Sequence, residues 1–533
     1  LAEKIALREK FLYLDKKIPE LKQWTVKSSS SLSGVLHIGR LSDIIRSEAV
    51  YRALKERGFP VKFIYVTEDM DPVRSVPKGV PESFSRYFGF AVSDAPDPFG
   101  CHESYALHFK EEFLKVLNDF LLEAPEVLSM REEYRKGVFT ESILALSQKQ
   151  AELRQIIERV QGSSLPVDWA YWKPVCDSCG NLQTTKVLKI EGTKVYYKCE
   201  DYEFEKRESI AKGCGHEGSQ DLSKANGKMA WKSEWASQWK AWNVCSEGAG
   251  KDYNAPNSAW YVNAEICERL LDFPMPEPIF YEHIFIGGEK MSASKGNVVY
   301  PSEWLSVARP EALKYLYVKR LSKARSFLWS EIPLLERELD NAVAITFNAK
   351  QAADEKELHQ MNRLYEYSLV KERKPQIIGF DYDLTVLFAQ LFKDNEIALK
   401  ALGEQGYLAG NESKEALQQA GERLNHARKW VESYAPEEKR ISFAVTLPES
   451  LQADASTKKA LNELIKSIPS INSHEDLQSK IFSLVKENSL KPKEFFALMY
   501  QSLIARQQGP KLGSLILALG KERVIERLKQ LAS

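Results

Sequence analysis

Hydrophobic positions near the start of the chain come in two rhythms. "KQWTVKSS", Lys22 to Ser29, reads as a short strand running into a serine-rich loop. "IIRSEAVYRALKERG" then carries Ile44, Ile45, Val50 and Leu54 at helical spacing, with Gly58 as its stop. The pattern places the start of this helix just after Ser42 or Asp43. "FPVKFIYVTED" follows as a continuous apolar run, the signature of a strand buried on both faces. Strand, loop, helix, strand predicts a βαβ unit and therefore a parallel sheet with a right-handed crossover.

Farther on the rhythm changes twice. From about Pro72 to Gly227, proline-rich loops alternate with helices such as "EEFLKVLNDFLLEA" and with a cysteine-bearing stretch. This interval reads as an insertion into the sheet domain, with a metal-knuckle segment over 172–218. "PIFYEHIFIGGEKMSASKGN" returns to strand and loop. From about Pro310 nearly everything is helical, as in "TVLFAQLFKDNEIALKAL", "LQSKIFSLVKEN" and "KERVIERLKQL". The expected organisation is an α/β domain over 1–309, with its insertion at about 72–227, and an all-α domain over 310–533.

Composition narrows the class without naming it. A chain of 533 residues, 44% hydrophobic and 28% charged, suits a globular protein of several domains. Lys and Arg number 74 and so do Asp and Glu, so any nucleic-acid contact has to come from a local patch. No apolar run approaches the ~18 residues of a membrane span. The charged start "LAEKIALREKF" lacks the apolar core of a secretory signal. Seven cysteines, several in ligand-like spacing, point to metal-binding thiols in a reducing cytoplasm rather than to disulfides.

Two short stretches carry candidate chemistry. In "SGVLHIGRLSD", His37 and Gly39 sit where the first loop becomes the helix. A helix N-terminus presents free amides and positive dipole, which suits phosphate, and Gly39 permits close approach of a ligand to the backbone. In "KMSASKGN", Lys290 and Lys295 flank Ser292 and Ser294, a doubly cationic hydroxyl-bearing loop suited to a triphosphate whose charge grows during transfer.

The two stretches, in that order around a parallel sheet, resemble the signatures of class I aminoacyl-tRNA synthetases. "FIYVTEDMDPVRSVP", "DAPDPFGCHESYALHF", "MAWKSEWASQWKAWNVCSEGAGKDYNAP" and "GPKLGSLILALGKERVIERL" are similar to the class I lysyl-tRNA synthetase family. The resemblance runs from about Trp24 to Leu528. It implies a Rossmann-type catalytic domain and a helical anticodon-binding domain. It also implies activation of lysine by ATP with Mg2+ and transfer to tRNA(Lys). By the same resemblance His37 donates to phosphate oxygens, Gly39 makes room for adenosine, and Lys290, Ser292, Ser294 and Lys295 hold the leaving pyrophosphate. Asp252, in "GAGKDYNAP", would hold a ribose hydroxyl or the substrate amine; on the residues alone it reads equally as a turn cap. Trp231, Trp235, Trp239 and Trp242 fall on one helical face, more often core than pocket. The resemblance selects Trp235 for the amino-acid site.

Two ligand sets follow. "CDSCG" places Cys176 and Cys179 in a knuckle turn, with Cys199 and Cys214 beyond, enough for a closed four-thiolate zinc site. His216 competes with Cys214 for the fourth position. Asp97, Cys101, His102 and His108 form a second set, for which the resemblance also implies a metal. Both look structural.

Departures from the family gather at the substrate site. Arg40 stands where the lysyl family has asparagine and could clamp phosphate or face solvent. Ser29 and Ser31 replace glycine and threonine, Tyr253 a histidine, and Trp260 a tyrosine. Tyr253 and Trp260 could offer aromatic faces to an ammonium. Lys27, ten residues before His37, would repel a lysine side chain if it faced the pocket. Glutamyl enzymes of the class carry an arginine there. Two other functions stay open at this point: a class I synthetase of glutamyl-like specificity, and a zinc-containing RNA-binding paralogue without activation chemistry.

Overall fold

In the computed structural model, the described residues are 1–32, 37–76, 79–204, 209–282, 284–291, 297–319, 325–371, 379–441, 447 and 451–533. They group into two compact units: Leu1–Pro301 with Tyr317–Ser326, and Ser302–Leu316 with Phe327–Ser533.

The first unit is built on a five-stranded sheet. Its strands are β1 (Trp24–Ser30), β2 (Val61–Thr67), β3 (Glu126–Ser129), β4 (Val244–Gly250) and β5 (Glu277–Tyr281). Their order is β5-β4-β1-β2-β3 and every pairing is parallel. The expected parallel α/β sheet is present. The interval expected to lie wholly outside it nevertheless supplies β3, which pairs with β2 from Ile64↔Glu126 to Thr67↔Ser129. The sheet is therefore completed from within residues 72–227. A four-residue strand carries too little pattern to stand out in the sequence.

β1 is buried along nearly its whole length, yet its sequence is WTVKSSS. Its polar side chains are tolerated because each finds a partner. Thr25 Oγ1 donates to the Trp242 carbonyl at 2.5 Å, Lys27 pairs with Glu247, Ser28 donates to Asp43, and Ser30 bonds Tyr65.

Helix α1 (Ile38–Glu56) follows β1 and begins earlier than its apolar spacing suggested. His37, not Ser42 or Asp43, is the N-cap, accepting from the Gly39 N–H. Ile38 and Leu41 are buried and belong to the core-facing stripe. The chain leaves the helix through Gly58 at φ +70°, the left-handed conformation glycine adopts without strain. Helices α2 (Trp231–Ala241) and α3 (Ala259–Arg269) flank β4.

Among the described residues, the regular structure of the second unit is helical apart from short 3-10 turns and one residue of the strand Arg325–Phe327. The long apolar run after Tyr382 is two helices, Tyr382–Leu391 and Asn395–Glu404. Asp394 divides them by capping the amides of Glu396 and Ile397. Arg309 and Arg423 meet Asp340 inside this unit, and Arg309 also meets Glu336. No helix among the described residues is long and apolar enough to cross a membrane.

Candidate active site

The sheet reverses its strand order between β1 and β4, and ligands of open α/β sheets bind in the crevice at such a point. A cavity of about 580 Å3 opens there. Of the residues singled out in the sequence, Ser29, Ser31, Arg40, Trp235 and Tyr253 line it. His37 and Gly39 lie beside Arg40 at the start of α1, off the lining. Asp252 is exposed in the turn Lys251–Asn254. Ser292, Ser294 and Lys295 fall outside the described residues. Lys290 is described through its backbone alone, in the two-residue strand Glu289–Lys290 paired with Ile284–Ile286.

The cap geometry defines the state of His37. Its Nδ1 accepts from the Gly39 N–H at 3.1 Å, so the ring proton of the neutral form sits on Nε2. Burial, aided by the Arg40 charge, lowers the imidazole pKa to about 4. The ring is therefore a neutral donor at pH 7. Gly39 serves this cap directly: a Cβ there would stand 2.8 Å from the imidazole.

Successive side chains of β1 point to opposite faces. Lys27 lies on the face away from α1, with its Nζ 2.5 Å from Glu247 Oε1. The other oxygen of Glu247 accepts from the indoles of Trp235 at 2.8 Å and Trp239 at 2.6 Å. Both charges are sealed, at 0% and 1% exposure. The Lys27 ammonium that threatened to repel a cationic substrate is thus neutralised inside the wall. Ser31, which continues the same alternation, donates to Asp71 Oδ2 at 2.6 Å. Glu68 also lines the cavity, and burial raises its pKa to about 7 against the lowering effect of Lys27. Lys228 is held at 2.5 Å by Glu234.

Trp260 does not line the cavity. It is fully buried behind Trp235 and Trp239, with ring centroids 5.1 and 4.9 Å away, and it supports them. The aromatic surface facing the cavity comes from Trp231, Trp235, Tyr253 and Tyr281. Asp43, Glu68, Asp71, Glu247 and Tyr281 were missed in the sequence. Glu68 and Asp71 had a signal, a cluster of acids just past the carboxyl end of an apolar strand. Glu247 had none, because its partner is 220 positions away.

Both ligand sets converge. Cys176, Cys179, Cys199 and Cys214 bring their sulfurs within 4.8 Å of one another, and Cys214 rather than His216 completes the group. Cys176 to Cys214 and Cys179 to Cys199 each measure 3.7 Å. A tetrahedron with ~2.3 Å Zn–S bonds has edges of ~3.8 Å, so the set fits zinc. The hairpin Thr185–Glu191/Lys194–Cys199 carries the third cysteine to the knuckle.

Asp97, Cys101, His102 and His108 also lie within 4.8 Å of one another. Both imidazoles turn Nδ1 toward Cys101, at 3.1 and 3.2 Å. Their Nε2 atoms face Glu111 at 3.2 Å and Glu112 at 3.6 Å. A carboxylate behind a ligating histidine is the usual orienting arrangement. These two glutamates are a further pair absent from the sequence reading.

Residues 3–371 match the family described as tRNA synthetases class I (K), and residues 438–532 match an anticodon binding domain. Among curated proteins, a lysine–tRNA ligase of Cenarchaeum symbiosum is 31% identical over 94% of this chain and 92% of its own length. Lysine–tRNA ligases of Methanosphaera stadtmanae and Pyrococcus horikoshii are each 28% identical, over 95% and 96% of this chain and 96% of their own lengths. Among solved structures, a glutamate tRNA ligase from Elizabethkingia meningosepticum aligns with a TM-score of 0.39 at 15% identity, covering 96% of this chain and 99% of that one.

Proposed function

The chain belongs to the class I (K) family of tRNA synthetases, and from that premise we propose that it joins lysine to tRNA(Lys) at the expense of ATP. The lysine carboxylate attacks the α-phosphorus, a P–O bond forms, and pyrophosphate leaves. The terminal ribose hydroxyl of the tRNA then attacks the acyl carbon and AMP leaves. The protein's part is positioning and charge stabilisation rather than covalent catalysis.

His37 offers its Nε2–H to phosphate oxygen, and Arg40 adds a guanidinium at the cavity. Lys290, Ser292, Ser294 and Lys295 hold the departing pyrophosphate. Asp252 holds a ribose hydroxyl from its turn. Mg2+ accompanies ATP and shields its phosphate charge. Ser29, Ser31, Trp235 and Tyr253 shape the amino-acid side. Zinc at the Cys176 and Asp97 clusters holds the segments between β2 and β4 in shape. The free thiols suit a reducing compartment, the cytoplasm.

The observation that carries lysine over glutamate is the Lys27–Glu247 pair. A bare cation there would attract a carboxylate side chain and repel an ammonium. Paired and covered by two indoles, it presents no bare cation, and the acids Asp43, Glu68, Asp71 and Glu247 all line the cavity. An ATP–pyrophosphate exchange assay across the standard amino acids tests this. Lysine alone should support exchange. Exchange with glutamate would restore the glutamyl alternative, and exchange with none would favour an RNA-binding protein.

A further inference from the structure

Most buried polar side chains around the cavity are already matched. Glu247 uses both oxygens, and Glu234 is held by Lys228 and by the Tyr134 hydroxyl. Asp71 accepts from Ser31. Asp43 differs. It lines the cavity at only 7% exposure, and its Oδ2 accepts from Ser28 at 2.9 Å. Its Oδ1 is buried with no hydrogen-bond partner among the described residues. A buried carboxylate oxygen left unmatched is costly, and burial raises the Asp43 pKa to about 6 despite the Ser28 bond.

The surroundings say which side of the crevice this oxygen belongs to. Asp43 lies four residues beyond Gly39, hence on the same face of α1 one turn deeper. It meets Ser28, the β1 position that points away from the Lys27 side. The neighbouring strand repeats the division: Glu247 pairs in register with Lys27, and the next residue, Gly248, faces α1. A Cβ at Gly248 would stand 1.7 Å from Asp43 Oδ1, so only glycine admits the carboxylate there. The lysine-side groups occupy the opposite face of β1.

We propose that Asp43 is a nucleotide-binding residue whose Oδ1 accepts a hydrogen bond from the adenosine of ATP. The shared chemistry is a donor on the nucleoside, either a ribose hydroxyl or the purine amino group. A carboxylate that only accepts also disfavours a nucleotide presenting an acceptor at that position. This inference rests on the reading that ATP binds in this crevice. A wild-type enzyme silent in exchange would defeat that reading, whereas active wild type with an indifferent Asp43 would defeat this inference alone.

The test is exchange kinetics on Asp43→Ala, Asp43→Asn and Gly248→Ala, with thermal unfolding recorded for each. Loss of a hydrogen bond to a charged group predicts a rise in ATP KM of about 10- to 100-fold for Asp43→Ala. The lysine KM should move less than about twofold. Asp43→Asn, which keeps the shape and one acceptor, should lose less, and it carries the test if the alanine variant fails to fold. Gly248→Ala should mimic Asp43→Ala by displacing the carboxylate.

The source of the donor is read from 2′-deoxy-ATP, 3′-deoxy-ATP and purine riboside triphosphate. The analogue lacking the relevant donor should be penalised with wild type and carry no added penalty with Asp43→Ala. An unchanged ATP KM in folded Asp43→Ala and Asp43→Asn would overturn the proposal. It would assign Oδ1 to a water shared with the neighbouring Ser47 hydroxyl, which is likewise unmatched among the described residues. Full additivity of all three analogue penalties would overturn it as well.

Discussion

In the cysteine cluster, four thiols gather from a stretch in which Cys176 and Cys214 are 38 positions apart. In the cavity, Lys27 and Glu247 meet across 220 positions. The first group brings like groups together with no counter-charge of its own, so with the proposed zinc its order is expected to depend on that ion. The second pairs opposite charges within the protein and closes them with the indoles of Trp235 and Trp239. One region is held from outside its own chemistry, the other from within, and they should fail differently.

The largest expected effect is on the cysteine side. Structural zinc contributes on the order of 10–16 kcal/mol to folding a small thiolate module. Elemental analysis of protein purified without added metal should find about two zinc ions per chain, and Cys176→Ser should retain about one. Limited proteolysis of that variant should open the 172–221 segment while the ATP KM holds. An intact segment in metal-free protein would remove the contrast between the regions.

Glu247→Gln probes the other side. It leaves Lys27 buried without its counter-charge, which costs about 3–5 kcal/mol. Denaturant unfolding should show the loss with zinc content unchanged. A variant as stable as wild type would mean that Lys27 reaches solvent, and the argument for lysine specificity would go with it.

His37→Ala should cost ~2.7–4 kcal/mol in adenylate formation, the scale of losing one preorganised donor. His37→Asn should retain more, because an amide still donates. The depressed pKa sets a sign as well. As pH falls below 6.5 the unfolded chain protonates His37 first, while the folded ring stays neutral to about 4. Stability from this group therefore falls on acidification across that window. Melting curves at pH 7 and pH 5 should show a smaller acid loss in His37→Asn than in wild type. Equal losses would contradict a buried neutral imidazole.

The smallest effect should come from the tryptophans. Trp260→Phe should lower stability through lost packing but leave the lysine KM within about twofold, since the ring sits behind the wall. Trp235→Phe, which removes the donor to Glu247 at the cavity surface, should raise the lysine KM more. The reverse order would restore Trp260 to the substrate site.

The same contrast explains what could be read from residue order. The convergence of both candidate ligand sets was legible in part, because Cys176 with Cys179 and Asp97 with Cys101, His102 and His108 lie close together in sequence. The choice of Cys214 over His216 was not, because it depends on how the Lys194–Cys199 strand folds back. α1 and β2 were legible from periodic and continuous apolar runs, whereas the serines of β1 read as a loop although the strand runs on to Ser30. The His37–Gly39 turn was legible as the place where loop becomes helix, but the apolar spacing started α1 a turn late because histidine is not among the favoured capping residues. Trp260 was set at the substrate site because it stands where the resemblance expects a tyrosine, and residue order does not say that Trp235 and Trp239 stand in front of it. Glu247 and Asp43 were invisible, their roles being created by strand register alone.

β1 is hydrogen-bonded to β4 on one edge and β2 on the other, so it leaves no gap through which its two faces communicate. Side chains at Lys27 and Ser29 belong to one face, and Ser28 with Asp43 to the other. Molecules lying on opposite sides of such a partition can touch only beyond its rim, where the strand ends at Ser30. With lysine and adenosine on the two faces as proposed, an inhibitor joining both halves has to bend, with its turning point over Ser30 and Ser31. Substitutions that retune one half can accumulate without disturbing the grip on the other.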